Sequence, residues 1–371
     1  SSACRWEGMP SLGAVSASTS PPGPVAAPTT HAFAPLDWAL VAGVAVAWGA
    51  SFLFIEIGLE HFEPGLVAFL RVLFGALTLA LVPAARRPVP RSELPLVALL
   101  GVVWMTVPFV LFAVAQQWID SSLAGMINAA APLFTAVIAA IVVRGLPGRL
   151  QAAGLAVGFI GVVAVASPSL GQGESSTLGV VLVLLATLLY GCAFNLAGPL
   201  QRRNGALPVI WRAQLVALVF LAPVGAVGAA GSSFAWSSLA AMVVLGSVGT
   251  ALAFLWFATL AGRVGPTRGS VSIYFLPIVA IALGALLRDE TVHAAAILGT
   301  ALVLGGAYLT SRKERERLAV DDFGSEPVGD ARLDGAASAE RQDGLPPAAR
   351  EGSPPRAAHE GGPAPAARDT S

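Results

Sequence analysis

Charge is what this sequence has least of. Of its 371 residues only 12% are Asp, Glu, Lys or Arg, against 55% hydrophobic, and the formal net charge is +0. Soluble domains carry roughly twice that charged fraction, so a water-facing globular enzyme is excluded as a class. A balance of zero also provides no basic face for nucleic acid. Cysteine is nearly absent: Cys4 lies in a polar head and Cys192 inside an apolar run, which is no disulfide framework. The four histidines, His31, His61, His293 and His359, lack the paired spacing that holds a metal. No Gly-rich loop ending in Gly-Lys-Ser or Gly-Lys-Thr occurs, which argues against ATP-driven pumping within this chain. The head shows no basic start followed by an apolar core, so no cleaved leader is expected in it.

What is abundant is long apolar sequence. The mean hydropathy is +0.73, and from Asp37 onward ten apolar runs follow, each of roughly the 20 residues that cross about 30 Å of hydrocarbon. They fall at about 38–58, 65–83, 94–115, 122–143, 149–167, 178–200, 208–229, 237–260, 267–287 and 293–310. The fourth and fifth are separated by Gly145, Pro147 and Gly148 as helix breakers. Residues 1–36 and 312–371, rich in Pro, Gly, Ala and Ser, read as disordered tails.

The loops set the orientation. Arg86, Arg87 and Arg91 follow the second run, Arg144 and Arg149 the fourth, Arg202 and Arg203 the sixth, Arg263 and Arg268 the eighth, and Arg312, Lys313, Arg315 and Arg317 the tenth. The alternate loops carry Glu60, His61 and Glu63, then Asp120, then Glu174, then no charge, then Arg288 offset by Asp289 and Glu290. Because basic loops mark the cytoplasmic side, both termini are expected in the cytoplasm, in a cell membrane.

The chain also repeats itself. A step of 145 residues carries Pro132 onto Pro277, Phe112 onto Phe257, Ala113 onto Ala258, Gly154 onto Gly299 and Gly161 onto Gly306. This predicts two homologous halves, 37–168 and 176–311, with five helices each. Since five is odd, the halves must cross in opposite senses. The expected fold is therefore all-α and membrane-integral, with ten transmembrane helices as two inverted five-helix repeats.

Several residues carry a resemblance to a known family. They are Trp48 to Phe52, Leu70-Arg71, Asn128 to Pro132, and Gly154, Gly158 and Gly161 in the first half. In the second half they are Tyr274 to Pro277, Asp289-Glu290, Gly299 and Gly305-Gly306. In order and spacing the chain resembles EamA-type members of the drug/metabolite transporter superfamily over about 37–311. The resemblance implies a transporter of amino acids, other metabolites or drugs, without naming the cargo. One departure stands out: Arg144-Gly145 replaces the small-residue–Glu pair usual after the fourth helix, while the second half keeps Asp289-Glu290.

The candidate pathway residues are the polar, charged and aromatic side chains held at depth. Pro132 and Pro277 each free a carbonyl four residues earlier, which makes them either paired gating kinks across the midplane or packing kinks. Asn128 must face a helix or water rather than lipid. Trp48, with Ser51 one turn on, and Trp104 lie at mid-span, away from the headgroup belts where aromatics concentrate. With Tyr190, the repeat partner of Trp48, with Asn195 and Trp256 in the inner parts of their helices, and with Tyr274, they make either an aromatic-walled cavity or bulk packing. Arg71 and Arg212 lie within spans, where a central arginine costs roughly 2.5–3.5 kcal/mol on insertion scales; they either snorkel to the headgroups or guard the two mouths and attract carboxylates. Glu56, at similar depth on the next helix, is a candidate partner for Arg71.

The glycine strip Gly154, Gly158 and Gly161 predicts a close helix approach, either to the tenth helix or across a homodimer. The leading expectation is thus a secondary carrier, most simply an exporter, working by alternating access without a cofactor or metal. Two rivals are a membrane enzyme acting on lipid-linked substrates, which would need acids or histidines clustered at one interface, and a structural membrane protein.

Overall fold

A computed structural model describes residues 33–145, 147–168, 174–264 and 269–323, with backbone only for 174–175 and 311–323. The expected tails and Arg268 therefore lie largely or wholly outside the described residues. The chain divides into Ser1–Asp322, which holds the helical body, and Phe323–Ser371, of which only Phe323 is described.

Among the described residues all regular structure is helical. In order the helices are α1 (Pro35–Gly49), α2 (Ser51–Leu59), α3 (Pro64–Ala80), α4 (Leu94–Gly101), α5 (Val107–Ala115), α6 (Ser121–Asn128) and α7 (Ala131–Val143). They continue with α8 (Arg149–Ala166), α9 (Glu174–Asn204), α10 (Ala206–Gly231), α11 (Trp236–Gly246), α12 (Ala253–Val264), α13 (Val271–Leu287) and α14 (Ala294–Phe323). Seven helical stretches are long and apolar enough to cross a membrane: 35–59, 91–115, 121–143, 149–166, 176–204, 206–231 and 236–264. Three shorter apolar helices, Pro64–Ala80, Val271–Leu287 and Ala294–Thr310, stand among them. The protein is a multi-pass membrane protein, and α14 runs on past the expected end at 310.

Two of the long stretches contain a π segment, Val102–Thr106 between α4 and α5 and Ser247–Leu252 between α11 and α12. An extra residue in a helical turn displaces a carbonyl from its usual donor. Here a threonine supplies the replacement: Thr106 Oγ1 donates to Gly101 O at 3.2 Å and Thr250 Oγ1 to Leu245 O at 3.0 Å, each five residues back. Such bulges concentrate at functional sites. Their starts, 102 and 247, are separated by the same 145-residue step seen in the sequence.

The two prolines of that step behave differently. Pro132 opens α7 after a turn at Ala129-Ala130 that breaks the helix, as expected where a proline removes a backbone donor. Pro277 lies inside continuous α13 and is buried. Helix α13 packs closely against α1, where a Cβ on Gly49 would come within 2.8 Å of Leu276 O.

Helices related by the step pack on one another: α3 on α10 and α6 on α13, and α8 on α14. The last contact uses the glycine strip. A Cβ on Gly161 would meet Gly299 O at 2.6 Å, and one on Gly154 would meet Gly306 O at 2.9 Å. Only hydrogen fits at such an approach. Within one chain, then, α14 and Leu133 of α7 cover the strip, and a homodimer through Gly154, Gly158 and Gly161 would have to displace them. Outward-facing apolar side chains such as Ile141, Ile160, Val219 and Val227 remain exposed, as lipid contact requires.

Candidate functional site

A cavity of about 640 Å³ runs from mid-helix depth to one end of the bundle. Its deep wall is aromatic, with Trp48, Phe52, Trp104, Phe112, Tyr190, Phe194 and Phe254. These rings form an unbroken series of contacts. Trp48 meets Phe254 at 5.6 Å between centroids, Phe254 meets Trp104 at 5.1 Å, and Trp104 meets Phe194 at 5.8 Å. Phe194 then meets Tyr190 at 5.9 Å, Tyr190 meets Phe112 at 5.6 Å, and Phe112 meets Phe52 at 5.6 Å. Most of these pairs are edge-to-face or tilted, the arrangements an aromatic quadrupole favours.

Arg71 sits in this wall. It is 7% exposed, its Nε donates to Thr250 Oγ1 at 3.1 Å, and its guanidinium lies 3.8 Å over the Phe109 ring. The π segment is what brings Thr250 here, since the widened turn carries its hydroxyl inward. The expected Glu56–Arg71 pair does not form. Glu56 is instead drawn to the far end of the bundle, where Arg288 Nε meets its Oε1 at 2.8 Å.

Toward the open end the lining becomes smaller and more polar, with Asn128, Pro132, Thr135, Asn195, Ser270 and Tyr274, and the mouth lies at Val143, Gly145, Pro147, Gly148 and Gln151. Asn195 ties two walls together, its Nδ2 donating to Thr135 O at 3.0 Å and Gly191 O at 2.8 Å. Asn128 Oδ1 is buried and accepts no hydrogen bond from the protein. Ser51 lines the cavity with its hydroxyl donated back to Ala47 O at 2.8 Å.

The opposite end is closed by polar contacts between the two halves. Arg288 Nη1 meets Glu60 Oε1 at 2.6 Å beside its Glu56 contact. The Glu290 carboxylate accepts the backbone N–H of Ser121 at 3.0 Å, that of Ser122 at 2.9 Å, and the Ser121 hydroxyl. It thereby caps α6, where a negative charge is favoured by the helix dipole. Ser238 Oγ donates to Ile57 O at 2.8 Å and Ser233 N–H to His61 O at 2.9 Å. Asp120 lies beside this cluster; burial first, then the Glu290 charge, pushes its carboxyl above the ordinary range, against a smaller pull from His293.

The sequence matches the EamA-like transporter family over residues 38–167 and 177–312, well over half of the chain. The chain belongs to that family. A probable terminal-alkyne amino-acid exporter of Streptantibioticus cattleyicolor is 28% identical, covering 74% of this chain and 93% of that protein. A probable amino-acid metabolite efflux pump of Salmonella typhimurium is 28% identical over 72% of this chain and 91% of its own length. A crystal structure with 18% identity shares the fold, at a TM-score of 0.52 over 76% of this chain and 98% of that one. The EamA family and these relatives are transporters, and the chain is a membrane transporter of small solutes rather than an enzyme.

Of the residues expected along the EamA pathway, Trp48, Ser51, Arg71, Trp104, Asn128, Pro132, Tyr190, Asn195 and Tyr274 line the cavity, and Pro277, Arg212 and Trp256 do not. Arg212 Nη1 donates to Pro208 O at 3.2 Å, one turn back on its own helix. Trp256 packs where Gly43 leaves room, 3.2 Å from the position of a Cβ there. The sequence reading missed Phe109, Phe194, Phe254 and Thr250. A phenylalanine in an apolar run has no distinguishing signal, but Thr250 had one: it lies close to the site that the 145-residue step assigns to Trp104.

Proposed function

We propose that this EamA-family chain is a secondary carrier that exports small organic solutes across the cytoplasmic membrane by alternating access. All ten apolar helices cross, in two five-helix halves of opposite sense spanning 37–168 and 176–311, with both termini in the cytoplasm. The observation that carries the reading is the cavity of about 640 Å³, whose lining runs from an aromatic wall to residues at one end of the bundle and includes, among the described residues, none of the polar contacts that close the other end. Arg86, Arg87, Arg91, Arg144, Arg149, Arg202 and Arg203 all fall in loops or terminal helical turns at the open end, which supports a cytoplasmic mouth. The closed end, bearing Glu60, Glu63 and Asp120, is then external.

In this reading the solute enters from the cytoplasm and settles between Trp48, Trp104, Tyr190 and Arg71. The Arg288 and Glu290 contacts release, and the halves rock about the site. Pro132, with its broken helix beside the cavity, serves as the hinge of the mouth. Pro277, inside a continuous helix, serves as its unbroken counterpart. The names of the two relatives support amino acids or their derivatives as the cargo class and export as the direction. The test is exchange in liposomes containing the full chain, loaded with amino acids, organic acids and drugs in turn. Saturable flux of at least one class is expected. Flux no greater than through protein-free vesicles, for every solute and under every gradient, would overturn the carrier.

A further inference from the structure

The cavity holds charge of one sign only. Among the described residues that line it, Arg71 is the single Arg, and no Asp, Glu, Lys or His is present. Among the described residues Arg71 is also unneutralised. Its Nε is used by Thr250 and its face by Phe109, but no described carboxylate pairs with it. Its two Nη atoms donate to no acceptor among the described residues, and neither is a sealed side-chain atom that lacks a partner. They therefore open onto the cavity. A guanidinium held this way offers a planar two-pronged donor to whatever enters, the arrangement that matches a carboxylate.

Resting on the carrier reading above, we propose that the cavity selects amphipathic organic anions. The carboxylate sits on the Arg71 Nη atoms and an aryl or alkyl body lies in the ring series from Trp48 to Phe52. An amino group on the solute is tolerated rather than required. Among the described residues of the lining, the only buried acceptor left without a partner is Asn128 Oδ1, a neutral oxygen that replaces a small part of an ammonium's hydration. The rings attract cations, but Arg71 already occupies the Phe109 face and repels a second positive charge in the same low-dielectric space. Affinity should thus fall from acid to zwitterion to amine for one and the same body.

Three probes share a phenyl body and differ in charge: phenylacetate, phenylalanine and phenethylamine. Their binding to the purified full chain in lipid nanodiscs, by equilibrium dialysis of labelled compound, reads the order directly. Phenylacetate should bind about tenfold or more tighter than phenethylamine, a tenfold step being 1.4 kcal/mol, with phenylalanine between them. Arg71→Gln should erase the order, and Arg71→Lys should keep it in weakened form. Binding of uncharged phenylacetamide, unchanged in Arg71→Gln, reports that the cavity is intact. If the Gln variant does not fold, the wild-type charge series alone decides. Equal binding of the three, or the amine tightest, overturns the proposal, as does a Gln variant that binds phenylacetamide normally and keeps the order. The carrier reading fails separately: acid-selective binding without flux sinks transport and leaves this site standing, whereas flux of amines in preference to acids does the reverse.

Discussion

The backbone makes the same turn twice, once at each end of the bundle. Arg144 closes α7 with φ 54 and Asp289 follows α13 with φ 52, and 144 and 289 are again 145 apart. Both are side-chain-bearing residues in the left-handed region, which is uncommon. In each, the next residue's N–H turns back to its own helix: Gly145 N–H to Ala140 O at 3.1 Å and Glu290 N–H to Gly284 O at 3.2 Å. What differs is the side chain this places. Glu290 folds over Gly284, where a Cβ would collide with its carboxylate, and caps α6 through Ser121 and Ser122. Gly145 has nothing to offer, and it lines the mouth of the cavity. One backbone device thus gives a latched end and an open end, and the choice lies in a single residue.

The most direct way to break the comparison is to remove the latch. Glu290→Ala leaves two N–H groups at the start of α6 without their acceptor and deletes a charge from the positive end of a helix dipole. Capping losses of this kind cost about 0.5–2 kcal/mol. Hydrogen exchange over Ser121–Gly125 should quicken, and the melting temperature should fall. Unchanged exchange would mean that the cap is ornamental. Glu290→Gln keeps the acceptor and loses the charge, so it should fall between wild type and Ala.

The converse is to build the missing latch. A Cβ at Gly145 has open space, with only Val143 Cγ1 near, at 3.9 Å, so Gly145→Glu is accommodated. Its carboxylate becomes available to the opposite half when the mouth closes, and the closed-mouth state should gain population. A gain of about 1 kcal/mol shifts the ratio about fivefold. The measurement is maleimide labelling of a cysteine introduced at Gln151, which should slow by that factor in Gly145→Glu. Labelling at the wild-type rate would show that the two turns are not functional equivalents.

Much of this was legible in the sequence because hydrophobic length and a fixed repeat step are long-range signals that survive local noise. Nine of the ten apolar runs match helical stretches within a few residues, while the tenth helix runs on well past its expected end, and the Pro132–Pro277 step anticipated the spacing of the π segments and of the left-handed turns. The π segments themselves were not readable, since one extra residue in a turn leaves apolar periodicity almost unchanged. Pairing across the bundle was harder still. Glu56 and Arg71 lie at similar depth on neighbouring helices, yet rotation about each axis sends Glu56 to Arg288 and Arg71 to Thr250. Depth follows from counting residues, whereas facing depends on the helix crossings that only the assembled bundle fixes.

Two smaller substitutions sharpen how the latched end is held. Arg288 joins Glu56 and Glu60, with side chains 28%, 24% and 36% exposed respectively. Solvent screening at that exposure limits each pair to about 0.2–1 kcal/mol. Arg288→Ala should therefore lower the melting temperature less than Glu290→Ala, and the double variant should depart from the sum, because Glu56 of the first latch also faces Ser121 and the Glu290 charge of the second. A loss equal to the sum would reveal two independent locks instead of one coupled lock.

The smallest effect belongs to Asp120. Its carboxyl titrates above the ordinary range because burial, and then the neighbouring Glu290 charge, disfavour ionisation. The folded state therefore binds the Asp120 proton more readily than the unfolded chain does. This contribution to stability is fully present below the unfolded value and is lost as pH rises through the raised folded value. At neutral pH an ionised Asp120 repels the latch, so Asp120→Asn should raise the melting temperature slightly, by a few tenths of a kcal/mol equivalent, the scale of one partly exposed charge contact. Over the acid side of neutrality the wild type should catch up with Asp120→Asn as its own carboxyl takes a proton. A gap between the two that stays constant from neutral to mildly acid pH would show that Asp120 does not titrate against Glu290.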